Sequence, residues 1–221
     1  MSKLVAMIPA RLGSQRLKKK NLELFGDKTL IEHAIYRCQK AEIFDEIYVN
    51  SESTVFEAFA QKYGVNFHLR PESLGSNTST SEEFVEDFLR SVECESLIQI
   101  HSITPLLAAE EIRKFANFCI KNPELNTVLS CIEDQIEVAY KNVPVNFSET
   151  IKTNSQELLP TQRITWAATK WDSNTYLSAK DSNQVGTYSG AVGYYKVGSY
   201  SGLAIKTELD LNVANALREV L

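Results

Sequence analysis

Leu4-Val5-Ala6-Met7-Ile8-Pro9-Ala10-Arg11-Leu12-Gly13-Ser14-Gln15-Arg16-Leu17-Lys18-Lys19-Lys20-Asn21 begins as an unbroken apolar run and ends as a cationic turn. The run has the pattern of a fully buried strand. Pro9 closes it, because proline cannot donate into a central ladder. Five cationic residues then fall between Arg11 and Lys20, with Gly13 and Ser14 among them. A buried strand that opens into a basic, glycine-containing loop suits an anion. Glycine lets backbone N–H groups approach closely, and such groups can form an anion nest. Arginine adds a fork for phosphate oxygens and lysine a point charge. Lysine runs are also common on solvated surface, and that reading stays open for Lys18 and Lys19. Arg11 and Ser14 lie directly behind the strand, where ligands bind in open α/β sheets. Neither G-x-x-x-x-G-K-[ST] nor G-x-G-x-x-G is present, so no common fingerprint names a nucleotide.

The rest of the chain sets limits on this reading. A chain of 221 residues, 43% hydrophobic and 23% charged, suits one sizeable domain spanning 1–221 with a core that needs no staples. The net charge is −5, so the basic turn stands out against an acidic background. A general nucleic-acid binder is more often basic throughout. Met1-Ser2-Lys3 leads straight into the strand without a signal-peptide pattern, and no apolar run approaches spanning length. The expectation is a cytoplasmic protein with no membrane insertion. Cys38, Cys94, Cys119 and Cys131 are scattered in apolar contexts without C-x-x-C, which favours buried free thiols.

Along the chain, Thr29-Leu30-Ile31-Glu32 is a capping box that opens a helix with Leu30, Ile31, Ala34, Ile35 and Cys38 inward. Glu46–Asn50 reads as a strand ending in the polar group Asn50-Ser51-Glu52-Ser53, which a parallel sheet would bring near the basic loop. Val55, Phe56, Phe59, Ala60 and Tyr63 give the next helix its apolar face, and Gly64 stops it. A short strand over Val65–Leu69 and a polar loop over Glu72–Thr80 follow. Thr80-Ser81-Glu82-Glu83 caps another helix. Strands over Ser96–His101 and Asn126–Cys131 flank a helix lined by Ile112, Phe115, Ala116 and Cys119. Strands and helices alternate, which predicts a parallel sheet covered on both faces. After Glu133 the rhythm breaks. Residues 133–185 are too many for a structureless loop and are expected to hold strands that form a flap or subunit contact. Trp166, Trp171 and Tyr176 fit partner anchors or local core equally well. Ser189–Tyr195 looks like a strand returning to the sheet. Thr207-Glu208-Leu209-Asp210 caps a last helix with Val213, Ala214, Leu217 and Val220 apolar.

Ile8-Pro9-Ala10-Arg11 with Ser14, Arg16-Leu17 and Lys20-Asn21-Leu22 resembles the opening motif of the CMP-sugar synthetases, the cytidylyltransferases for sialic acid, its bacterial nonulosonate relatives and Kdo. The resemblance continues through Arg70-Pro71-Glu72-Ser73-Leu74, Thr104-Pro105-Leu106 and Thr207-Glu208-Leu209-Asp210-Leu211. It implies a Rossmann-like three-layer α/β sandwich with a mostly parallel sheet and a projecting dimerisation segment within 133–185. It implies a homodimer that transfers CMP from CTP to a 2-keto-3-deoxy sugar acid and releases pyrophosphate. Carried over, Arg11, Ser14 and Lys20 would hold the triphosphate with Asn21 beside it. Arg70 and Ser79, Thr80 and Ser81 would contact the cytidine, with His101 nearby. Gln162, Arg163, Ser189 and Gly190 would fall on the sugar-acid side. Nucleotidyl transfer asks mainly for positioning and charge neutralisation, which cations at a strand mouth supply.

Three departures from the family pattern stand out. His101 takes the place of a usual Gln, and Asn77 that of an Asp. Ala204 and Lys206 stand where the family has the aspartates that hold magnesium. Asp210 remains as a metal candidate, though a role capping Thr207 accounts for it more simply. Magnesium is then expected mainly on the nucleotide, or Lys206 substitutes an ammonium for it. A different phosphorylated or phosphonate acceptor, and a non-catalytic nucleotide-binding relative, are the alternative readings.

Overall fold

The computed structural model describes residues 3–14 and 16–220. Met1, Ser2, Gln15 and Leu221 lie outside the described residues, and with them most of the opening Met1-Ser2-Lys3 and one position of the basic turn.

In chain order the elements are β1 (Leu4–Pro9), β2 (Leu24–Phe25), β3 (Lys28–Thr29), α1 (Leu30–Ala41), β4 (Glu46–Ser51), α2 (Glu57–Tyr63), β5 (Asn66–Leu69), α3 (Ser81–Ser91) and β6 (Ser96–Ile100). There follow α4 (Ala109–Lys121), β7 (Thr127–Asp134), β8 (Ala139–Tyr140), β9 (Val143–Pro144), β10 (Thr161–Asp172), α5 (Ser173–Asp181), β11 (Val192–Lys196) and α6 (Glu208–Arg218). Seven strands form one sheet in the order β11-β7-β10-β6-β1-β4-β5. All run parallel except β10, which is antiparallel to both β6 and β7.

β1 sits inside this sheet because it has no polar face to offer water. Its Leu4, Ala6 and Ile8 pack with α1, α2 and α4, while Val5 and Met7 pack with α3 and α5. Successive side chains point to opposite faces, so one apolar run feeds two cores and generates the three layers. Pro9 is the last strand residue and pairs only with Asn50 of β4; the β6 register ends at Met7. A missing donor is harmless there. The capping boxes at Thr29, Thr80 and Thr207 form as expected. Gly64 ends α2 at φ 64°, a left-handed conformation that glycine adopts without a Cβ penalty. Cys38, Cys119 and Cys131 are buried free thiols, and Cys94 is half-buried.

The segment 133–185 divides. β10 enters the middle of the sheet, and Trp171 and Tyr176 are fully packed on α3. These two aromatics are core of their own chain, which settles the alternative of partner anchors for them. Residues 135–160 lie outside the seven-stranded sheet and are mostly exposed, with the β8–β9 hairpin among them. Val55, Val213 and Val220, expected to face inward, are exposed. Val55 lies in a 3-10 turn ahead of α2, outside the α-helical period, and Val220 lies beyond the end of α6. Val213 faces a cavity instead of a core. Among the described residues no helix is long and apolar enough to cross a membrane.

Candidate functional site

The carboxyl ends of β1, β4 and β6 meet the basic turn. Lys19 adopts φ 52°, and the chain then makes a 3-10 turn over Lys20–Leu22. Asn21, nearly buried, fixes this turn: its Nδ2 donates to the Arg11 carbonyl at 2.9 Å, and its Oδ1 accepts from Ser102 Oγ at 2.6 Å. The first anchor is within the turn, and the second ties it to the loop after β6. Glu52, from the polar end of β4, accepts from the Leu12 N–H at 2.9 Å and pairs with Arg70 at 2.8 Å. Arg70 also donates to the Ala10 carbonyl and to Asn50. Its guanidinium lies over the Phe84 ring at 4.8 Å. The polar tail of β4 thus reaches the basic turn, as a parallel sheet requires.

Arg11, Lys20, Asn21, Arg70 and His101 are brought together around a cavity of about 190 Å³. Arg11 reaches the polar loop through Ser76, donating to its carbonyl at 3.3 Å. The Lys20 ammonium has a pKa lowered to about 8, first by burial and then by Arg16, Arg11 and Lys206, with Asp210 opposing. Four cations around one carboxylate leave a local excess of positive charge. His101, beside Gln99 at 2.5 Å, is lowered to about 4 by burial and by Lys20. At neutral pH its imidazole carries no charge and acts only through hydrogen bonds.

His101 and Ile103 form the shared wall to a larger cavity of about 560 Å³. Arg163, Lys206 and Asp210 line this second space. Arg163 Nε donates to Asp134 at 2.7 Å. Asp210 Oδ2 accepts from the N–H groups of Lys206 and Thr207 and from Thr207 Oγ1, at 2.8 to 2.9 Å; burial pushes its carboxyl up, but these bonds together outweigh it and hold the group below the usual range. Ala204 and Lys206 offer no oxygen ligand beside it, and no group of three or more His, Cys, Asp or Glu residues that could hold a metal occurs among the described residues. A donor set of one carboxylate committed to a helix cap, next to an ammonium, does not fit protein-held magnesium.

Other expected site residues lie further out. Ser14 is half-buried in the basic turn and lines neither cavity. Ser79 has a buried hydroxyl without a partner, in the loop before α3. Thr80 accepts from the Glu83 N–H as the cap of α3, and Thr80 and Ser81 face a separate hollow shared with Trp166 and Tyr188. Gln162 is exposed on β10 opposite Glu133. Ser189 and Gly190 line neither cavity: Ser189 accepts from Thr127 at the start of β7, the end of that strand opposite Asp134. The structure does not bring these two residues to the site.

Several supporting residues escaped the sequence reading. Buried Arg37 donates to the Thr104 and Leu107 carbonyls at 2.6 and 2.7 Å and so fixes the loop after His101. Glu111 accepts from Ser201 Oγ and the Gly198 N–H, holding the turn that borders the larger cavity. Ser102 braces Asn21. These long-range partners all lie more than 60 residues away in the chain, so no local pattern announces them.

A cationic turn behind the first strand of a mostly parallel sheet lines one pocket, which shares a wall with a second and larger one in this α/β protein. A family model described as cytidylyltransferase matches residues 5–210, and the chain belongs to that family. It is 38% identical over 88 residues to the N-acylneuraminate cytidylyltransferase of Escherichia coli O18:K1:H7, covering 40% of this chain and 21% of that protein. It is 33% identical over 117 residues to the CMP-N,N'-diacetyllegionaminic acid synthase of Legionella pneumophila, half of each chain. The matched stretches therefore span half or less of these relatives. Among solved structures, a CMP:2-keto-3-deoxy-manno-octonic acid synthetase complexed with CTP superposes with a TM-score of 0.76 at 16% identity, over 99% of both chains. That likeness shows the shared fold.

Proposed function

We propose that the protein transfers CMP from CTP to the anomeric hydroxyl of a 2-keto-3-deoxy sugar acid. The acceptor oxygen bonds to the α-phosphorus, the bond from that phosphorus to the bridging oxygen breaks, and pyrophosphate leaves. The acceptor proton passes to solvent. The shared wall of His101 and Ile103 is the observation that carries this reading, because it puts a cationic pocket next to a second, larger one.

Arg11 and Lys20 hold the triphosphate, with Ser14 further out in the same turn, and the two cations offset the charge that builds on the leaving group. Asn21 acts through the turn it braces. Arg70 and Phe84 wall the base, with Ser79 to Ser81 closing the loop above it. Lys206 contributes the positive charge that the family aspartates would otherwise recruit as metal. Arg163 receives the acceptor carboxylate through Nη atoms that have no partner among the described residues. Any magnesium would be held by the nucleotide's own phosphates, and Asp210 stays with its helix cap. The exposed apolar side chains on the projecting segment support a homodimer.

Pyrophosphate release across CTP, UTP, GTP and ATP, each with sialic, legionaminic, pseudaminic and Kdo acids, tests the reading. Release with CTP and an acid sugar is expected. Tight CTP binding without turnover on any acceptor would establish a nucleotide-binding relative instead. Lys206→Asp separates the charge roles: the variant is expected to need several-fold more magnesium for half-maximal rate. An unchanged magnesium titration would place Lys206 in solvent.

A further inference from the structure

Glu52 is the first residue beyond β4 and lines neither cavity of the site, yet it joins three walls of the smaller one. Its two oxygens serve different segments. Oε1 accepts from the Leu12 N–H at 2.9 Å, directly after Arg11, and Oε2 accepts from Arg70 Nη2 at 2.8 Å. The third wall arrives from outside. A Cβ on Gly75 would stand 2.4 Å from Glu52 Cγ and 2.5 Å from its Cδ, so the polar loop rests its backbone directly on this side chain. The next residue, Ser76, presents the carbonyl that accepts from Arg11.

Charge gives this contact a further consequence. Arg11, Lys20 and Arg70 line the cavity, and among the described residues no carboxylate does. The Arg70 side chain is only 2% exposed, and Glu52 is its one ion-pair partner among the described residues. An enclosed guanidinium without that partner would be repelled by Arg11 and drawn toward any bound phosphate. Paired, it stays over the Phe84 ring at 4.8 Å, as part of the base wall. A carboxylate suits the position because Leu12 and Arg70 both ask for an acceptor. An amide has one accepting oxygen and a donor on its other side, so it can satisfy only one of them.

Resting on the cytidylyltransferase reading, we propose that Glu52 is a positioning residue that fixes the distance between the triphosphate cations and the base wall, so that one nucleotide meets both at once. It touches no substrate itself. Two halves held in register beforehand need little ordering when the ligand arrives, which is where the affinity comes from. Opposite signs separate this role from bulk electrostatics. Removing a negative charge beside a cationic pocket tightens every polyphosphate. Removing the spacer weakens only a ligand that needs both halves.

Calorimetry with CTP and with inorganic tripolyphosphate reads the two effects in Glu52→Gln. The Kd for CTP is expected to rise by about tenfold, the scale of one lost hydrogen bond to a charged group. Tripolyphosphate is expected to bind as tightly as before, or tighter. In pyrophosphate-release assays the KM for CTP should rise while kcat at saturating CTP is kept, because Glu52 reaches no reacting atom. Gly75→Ala presses a methyl group onto the same side chain without changing charge. It should weaken CTP several-fold with tripolyphosphate unmoved, and it carries the test should the Gln variant fold poorly. CTP affinity unmoved in the variants that fold, or equal losses for CTP and tripolyphosphate, overturns the positioning role and leaves the cytidylyltransferase reading intact. A wild type that binds CTP no tighter than tripolyphosphate, and turns over no acceptor, removes both.

Discussion

Lys20 is the residue where charge and burial conflict most directly. Its pKa of about 8 reflects burial first and the neighbouring Arg16, Arg11 and Lys206 next. A bound polyphosphate favours the ammonium, so the complex keeps the proton to higher pH than the free protein does. CTP affinity is therefore expected to be level below about pH 8 and to fall as pH rises through it, by up to about tenfold per pH unit. Calorimetry between pH 7.5 and 9.5 measures this, and proton uptake on binding should appear in the same window. Lys20→Arg should flatten the slope, since a guanidinium stays charged. A flat wild-type profile would detach Lys20 from the phosphates. Arg37 shows the opposite kind of residue. Its guanidinium is buried, with a pKa lowered to about 10, and it ties down two carbonyls of the loop behind His101. Arg37→Ala should cost about 3 kcal/mol of stability, the scale of losing hydrogen bonds from a buried charge. Denaturant unfolding checks it. Arg11 and Lys20 could be read from the chain because they directly follow an apolar run. Arg37 could not, because an arginine beside an apolar helix face reads as a snorkelling surface residue, and only the folded chain supplies its carbonyls.

At the scale of elements, legibility follows the distance to the partner. The three Thr capping boxes need only residues three apart, and all form. β10 is different. Thr161–Asp172 mixes polar, small and aromatic residues without a clean period, and its two neighbours end at Ile100 and Asp134. An antiparallel strand inserted between β6 and β7 breaks the alternation that made the earlier strands readable, so the segment resembled an appendage. The same insertion creates the second cavity, since β10 carries Arg163 and Trp166 into it. The caps also matter for function. Thr80 starts α3 at the end of the loop that contacts Arg11, and its carboxylate partner Glu83 accepts from its N–H at 2.6 Å. Thr80→Ala should cost about 1 kcal/mol. It should also weaken CTP binding more than acceptor binding, because the loop frays on the nucleotide side. Equal losses for both ligands would show that α3 supports the whole site rather than one half.

For the whole molecule, residues 135–160 present an apolar surface that no other part of the described chain covers. Residues 135–160 are not loose. Asn146 accepts from the Val138 N–H and donates to the Ile136 and Leu159 carbonyls, all at 2.8 to 2.9 Å. The ordered backbone nevertheless presents Ile136, Tyr140, Val143, Val145, Ile151 and Leu159 to solvent, each more than half exposed, with Leu159 at 77%. Ordering apolar side chains in water brings no gain unless a partner completes the burial. A second copy of the chain offers the same surface, and a two-fold contact lets one patch satisfy itself. The protein is expected to sediment as a dimer at micromolar concentration. The paired change Ile151→Glu and Leu159→Glu should convert it to monomer, since two carboxylates per copy would be buried in the contact. The unfolding midpoint of the monomer should stay near wild type, because neither side chain belongs to the cores on the two faces of the sheet. Sedimentation velocity of the two proteins decides the matter. A monomeric wild type, or a variant that remains dimeric, would mean that the segment serves some contact other than self-association.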